Sequence, residues 1–186
     1  MRKRNSCGLP GNAILLAFLL CGHAQAQSET PRWELGLQLT GLHLHKIDEA
    51  PLGIGVRLNY NVKRYATFDA EAVHYPQGRS GHFGETTGLA GIKLGKRSAK
   101  AGLFVKGRLG LIRFGGTFFD VRLDRKGHFE VDLGTVVEYY PPRHTVVRID
   151  AGDTIIYFGA AHLRPSPIPL GTVHNFQPAL GFGIRF

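Results

Sequence analysis

From residue 33 to residue 186 one pattern dominates: apolar side chains stand at every second position, with small or charged ones between them. In "LGIGVRLNYNV", residues 52–62, one face carries Ile54, Val56, Leu58, Tyr60 and Val62. The other carries Gly53, Gly55, Arg57, Asn59 and Asn61. The stretch "PALGFGIRF" repeats this, with Leu180, Phe182, Ile184 and Phe186 against Ala179, Gly181, Gly183 and Arg185. Side chains alternate across a strand, so period two defines two-faced strands and excludes an amphipathic helix.

Eight such segments are expected, over residues 33–44, 52–62, 65–75, 86–95, 100–113, 129–140, 144–154 and 174–186. Long and short connections alternate between them. The short ones are "KR", "KRSA" and "PPR"; the longest runs from Ile155 to Val173 and contains "RPSPIP". An antiparallel meander with both termini at one end produces this order. The short turns then share the end of the termini, and the long loops share the other. Strands of about ten residues match the tilted length that crosses a bilayer.

The chemistry of the two faces decides the solvent. A soluble barrel turns its apolar face inward; a membrane barrel inverts the pattern. The non-apolar face here is rich in glycine, which suits a crowded eight-strand lumen better than a solvated surface. Its charges nearly balance. Glu34, Asp69, Glu71, Glu130, Asp132, Glu138 and Asp150 stand against Arg57, Lys93, Lys106, Arg108, Arg148 and Arg185. An unpaired buried charge is very costly, so this set is expected to close the lumen by ion pairs, with Arg185 turned toward Glu34. The excess positive charge falls in loops and turns, among them Lys96, Arg97, Arg122, Arg125 and Lys126. Trp33, Tyr60, Tyr65, Tyr139, Tyr140 and Phe186 fall near the short-turn end. Tyr75, Phe83, Phe114, Phe129, Tyr157, Phe158 and Phe176 fall near the long-loop end. Two aromatic rings around an aliphatic band suit the two membrane interfaces.

Residues 1–26 have another character. "MRKRNSCGLPGNAILLAFLLCGHAQA" joins a basic start, an apolar run from Ala13 to Cys21 and small residues at Ala24 and Ala26. This is the layout of a cleavable secretory signal peptide, too short in its apolar part to span a bilayer. A lipoprotein reading through Cys21 is disfavoured by the bulky Leu20 before it. Cleavage after Ala26 leaves a 27–186 domain and lowers the formal charge from +9 to +6, because Arg2, Lys3 and Arg4 leave and no acid does. Both cysteines, Cys7 and Cys21, leave too, so the mature domain has no thiol for disulfides, catalysis or metal.

Together the leader, eight alternating strands, asymmetric connections and final "FGIRF" resemble the small outer-membrane β-barrels of Gram-negative bacteria, of the OmpA/OmpX type. The resemblance spans 27–186 and is architectural. It implies an all-β fold: an eight-stranded antiparallel up-and-down transmembrane β-barrel in the cell outer membrane. It implies a structural or surface-interaction role without enzymatic activity or cofactor. It also implies a monomer whose partners are outer-membrane lipid, lipopolysaccharide and, during insertion, the barrel-assembly machinery. The matching assembly signal is Phe186, with Ile184, Phe182 and Leu180 upstream.

Two other functions are weighed. Some small outer-membrane barrels resemble lipid A-modifying hydrolases with a Ser/His/acid set. The best candidate here is Ser80, His82 and Glu85 in "GRSGHFGE", but close spacing in a Gly-rich loop does not orient a triad. The strand-borne "HxS" arrangement is missing. A secreted lipocalin-like carrier of an apolar ligand would instead bury the Leu/Val face and turn the charges out. His43 and His45 share a face at a spacing that could chelate a metal, a weak signal on its own; no metal is expected. Nucleic-acid binding is not expected, because the basic residues are scattered and the chain is exported.

Overall fold

The computed structural model describes residues 31–45, 50–76, 84–115, 126–141, 144–162, 166 and 168–186. The strands are β1 (Trp33–Gly41), β2 (Leu52–Lys63), β3 (Ala66–Tyr75), β4 (Gly84–Arg97), β5 (Ala101–Gly115), β6 (Gly127–Tyr139), β7 (Thr145–His162) and β8 (Pro169–Arg185). Each pairs antiparallel with its sequence neighbour, and β1 pairs with β8, so the sheet is a closed barrel. The seam is finished by reciprocal backbone hydrogen bonds between Trp33 and Phe186, at 2.8 and 2.9 Å. Closure removes the unpaired strand edges that lipid does not tolerate.

The faces are inverted relative to a water-soluble protein. Leu37 is 65% exposed and Leu111 66%, and both point outward, whereas Arg57, Arg108 and Arg148 are buried in the lumen. This turns the Leu/Val face outward, the reverse of what a lipocalin-like carrier needs. Leu180, Phe182, Ile184 and Phe186 all lie on the exposed outer face.

The last hairpin is longer than the alternation predicts. Residues expected to form a long loop from Ile155 to Val173 are largely strand, with β7 and β8 paired up to His162 and Pro169. Two causes hide this from the sequence. At "IIYF", residues 155–158, both faces are apolar and the alternation vanishes. Beyond it the ladder shifts register at Gly159, which pairs with Gly171. Both adopt positive φ, at 61° and 67°, a bulge conformation open to glycine.

The two aromatic rings also need correction. Trp33, Tyr139 and Phe186 are exposed at the short-turn end, and Phe129, Tyr157 and Phe176 at the other. Tyr75, Phe114 and Phe158 instead point inward and are buried. With Leu42, Leu44, Val73, Ile112, Ile156, Ala161 and Val173 they form an apolar cluster inside the long-loop mouth. Tyr140 is likewise turned into the lumen at the opposite end. Phe83 lies outside the described residues.

Candidate functional site: the charged lumen

Below the apolar cluster the lumen is filled by charge. Buried there are the carboxylates of Glu34, Asp69, Glu71, Glu85, Glu130, Asp132, Glu138 and Asp150 and the bases of Arg57, Lys93, Arg97, Lys106, Arg108 and Arg148. Strand alternation aims each of them inward. An eight-stranded barrel is just wide enough for such side chains to meet.

Six of them form a closed ring of alternating sign. Arg148 Nη1 donates to Asp69 Oδ2 at 2.7 Å, and Arg148 Nη2 to Asp150 Oδ2 at 2.5 Å. Lys106 Nζ lies 2.7 Å from both Asp150 Oδ1 and Asp132 Oδ2. Arg108 Nη2 is 2.8 Å from Asp132 Oδ2, and Arg108 Nη1 returns to Asp69 Oδ1 at 3.4 Å. Glu71 joins from outside the ring by pairing with Arg108. Each charge has two opposite neighbours, which offsets the desolvation that an isolated pair would not recover. The ring draws on β3, β5, β6 and β7.

One glycine lies on the rung between the two partners. Along the ladder Asp69 faces Gly91, and Gly91 faces Arg108. A Cβ at Gly91 would lie 2.1 Å from the Gly107 carbonyl oxygen and 2.6 Å from the Arg108 Cα. A side chain at this rung would collide with the β5 backbone, so the close β4–β5 ladder beneath Arg108 requires glycine there.

A second group lies at the short-turn end. Glu138 pairs with Lys93 and, at 3.4 Å, with Arg97 Nη2. The Tyr140 hydroxyl donates to Glu138 Oε2 at 2.6 Å and accepts from Arg97 Nε at 2.8 Å. Burial and the neighbouring Glu138 carboxylate push the Tyr140 phenol above its ordinary pKa. Arg57 Nη2 is 3.2 Å from Glu34 Oε1, which also accepts from Asn59 Nδ2 at 2.7 Å. Nearer the apolar cluster, Thr87 donates to Glu130.

Two expectations are corrected here. Arg185 does stand opposite Glu34 in the β1–β8 ladder. The ion pair to Glu34 nevertheless comes from Arg57, and the Arg185 guanidinium lies over the Tyr140 ring, 4.2 Å from its centroid. Arg97, expected in a turn, is a buried lumen residue. The parity of Lys93 and Arg97 on β4 carries that signal, as the parity of Glu85 and Thr87 does for the buried Glu85.

Of the hydrolase candidate, Ser80 and His82 lie outside the described residues, and Glu85 is buried facing inward. The His43 and His45 rings meet edge to face at 5.6 Å. Among the described residues no three His, Cys, Asp or Glu side chains gather as a metal-ligand set. The residues of the expected leader are also outside the described region.

A closed antiparallel barrel with an apolar exterior and a charged interior describes one environment, lipid outside and a filled lumen inside. Comparison with known proteins agrees. A family model described as "Outer membrane protein beta-barrel domain" matches residues 13–186. The chain belongs to the outer membrane protein β-barrel domain family. Membership places it in the outer membrane.

No curated protein sequence matches this family member. Among solved structures, it is similar to the N-terminal β-barrel domain of OprF from Pseudomonas aeruginosa, at 12% identity and a TM-score of 0.52, covering 82% of this chain and 97% of that one. It also matches Neisserial surface protein A at 17% identity and a TM-score of 0.49, covering 83% and 96% of the two chains. Ail, the attachment invasion locus protein of Yersinia pestis, matches at 13% identity and a TM-score of 0.46, covering 86% and 100%. The OprF likeness is a likeness of fold: outer-membrane β-barrels of this size share an architecture at very low identity.

Proposed function

We propose that the protein is a non-conducting, non-enzymatic barrel with a structural or surface role in the outer membrane. The observation that supports this reading most is the closed ring through Asp69, Arg148, Asp150, Lys106, Asp132 and Arg108, whose partners hold each other across the lumen. The apolar cluster above it adds a second barrier, since ions crossing it would lose their hydration without compensation. Export uses residues 1–26 as a cleaved leader, and residues 27–186 are the inserted domain. The basic start and the small residues at Ala24 and Ala26 support this. The barrel acts as a monomer. The outward row Leu180, Phe182, Ile184 and Phe186 is the surface that the assembly machinery reads, and its exposure on the outer face supports that role. The long-loop end faces lipopolysaccharide.

Reconstitution into planar lipid bilayers tests the reading. The protein should show no unitary current steps under applied voltage, and resolved steps would overturn the sealed lumen. Mass spectrometry of lipid A from cells with and without the protein tests the absence of enzymatic activity. A changed acyl pattern would favour a hydrolase.

A further inference from the structure

The outer wall of this barrel is recessed over β2 to β5. The ladders of β2, β3, β4 and β5 stack three outward rungs. The lowest runs Leu58, Ala70, Ala90, Leu109, and the next Val56, Ala72, Gly88, Leu111. Leucine and valine stand on β2 and β5, while β3 and β4 carry only methyl groups and a hydrogen. The result is a trough of about 910 Å³ in the lipid-facing surface. A Cβ placed at Gly88 would meet nothing within 4 Å, so the floor opens outward. The walls stand three strand spacings apart, or about 14 Å, wide enough for extended acyl chains.

The third rung changes chemistry. It runs Ile54, His74, Thr86, Arg113, all on the outer face. His74 Nδ1 and Thr86 Oγ1 are 3.0 Å apart. Arg113 is exposed, faces outward and has no ion-pair partner among the described residues. This rung lies on the long-loop side of the trough, where the family's barrels meet the outer leaflet. A guanidinium there is placed to meet an anionic headgroup, and its planar fork matches phosphate.

We propose that the trough and the Arg113 rung form a site for one phosphorylated outer-leaflet lipid of the lipid A class. Its acyl chains lie over Ala70, Ala72, Gly88 and Ala90, and its phosphate meets Arg113 beside Thr86 and His74. The charge complementarity of the capping rung selects this occupant over a neutral or zwitterionic lipid. The proposal rests on the surface role above and names its ligand. Bilayer current and lipid retention are separate readouts, so either idea can fail alone.

Native mass spectrometry of the purified protein in a non-ionic detergent tests it, with titrations of diphosphorylated lipid A and of phosphatidylethanolamine. One lipid A should be retained at energies that strip phosphatidylethanolamine. Arg113→Gln and Gly88→Leu should each weaken retention by about tenfold. Lys96→Gln, on the outer face at the other end, should leave it unchanged. Heat-modifiable migration on a gel reports whether each variant is folded. Dephosphorylated lipid A gives a test that needs no variant, since it should bind no better than phosphatidylethanolamine. Equal retention of both lipids, unchanged retention in Arg113→Gln, or a protein dimer broken by Gly88→Leu without bound lipid would overturn the proposal.

Discussion

Arg148 and Asp69 stand 79 positions apart in the chain and 2.7 Å apart across the lumen. They join β7 to β3 through the barrel interior, a link that no backbone ladder supplies. Each is fully buried, so neither charge has water to fall back on. Arg148→Met leaves Asp69 and Asp150 short of a cation and should destabilise the barrel by about 3–5 kcal/mol. Urea titration in phospholipid vesicles, read by the fluorescence of Trp33, the single tryptophan, measures the loss.

The outer surface should respond in the opposite way to a soluble protein's. Leu39 is 50% exposed, and a Leu→Arg change at such a site in water moves stability by no more than about 0.5 kcal/mol. In the middle of a lipid-facing band it should cost about 2–4 kcal/mol. The same vesicle titration decides, and a neutral Leu39→Arg would argue against the membrane orientation.

The apolar cluster behaves as an ordinary core placed inside a pore. Ile112 is completely buried within it. Ile112→Ala should cost about 2–5 kcal/mol, depending on how far Phe114 and Ile156 relax into the space. Retention of wild-type stability would mean that the cluster is hydrated and does not pack.

Gly91→Ala tests the rung beneath Arg108. A methyl group there meets the Gly107 carbonyl at 2.1 Å, and that oxygen belongs to backbone and cannot swing away. The β4–β5 ladder must shift, at about 1–3 kcal/mol by analogy with overpacked cores. Amide hydrogen exchange should show faster exchange along β4 and β5 than in the wild type.

The strands, their order and the inverted faces were legible because the period of two survives wherever one face is apolar and the other is not. Segments such as "LGIGVRLNYNV" carry that contrast in every residue. The contrast fails where both faces are apolar, at Ile155–Phe158, and there the strand reads as a loop. The same cause hid the inward apolar cluster: Tyr75, Phe114 and Phe158 follow the lumen parity of their strands, but an aromatic near a strand end reads equally well as an interfacial anchor. The identity of the lumen charges follows from parity, and Arg97 falls outside that set only because β4 continues past the expected end at residue 95. Who pairs with whom did not follow. Glu34 has Arg57 on one side and Arg185 on the other; Tyr140 follows the inward parity of β6, but alternation does not say that its ring is the partner Arg185 meets.

The alternating ring also bears on the order of events during insertion. Its six members come from strands on opposite sides of the cylinder, so no single hairpin can neutralise them. A half-curled sheet would leave Asp69 with only Arg108 and Arg148 with only Asp150, each short of its second partner. Water can therefore leave the interior only once β3 and β7 face each other. Dehydration of the lumen becomes a late, all-or-none event, coupled to the curling of the whole sheet and not to the arrival of any one strand.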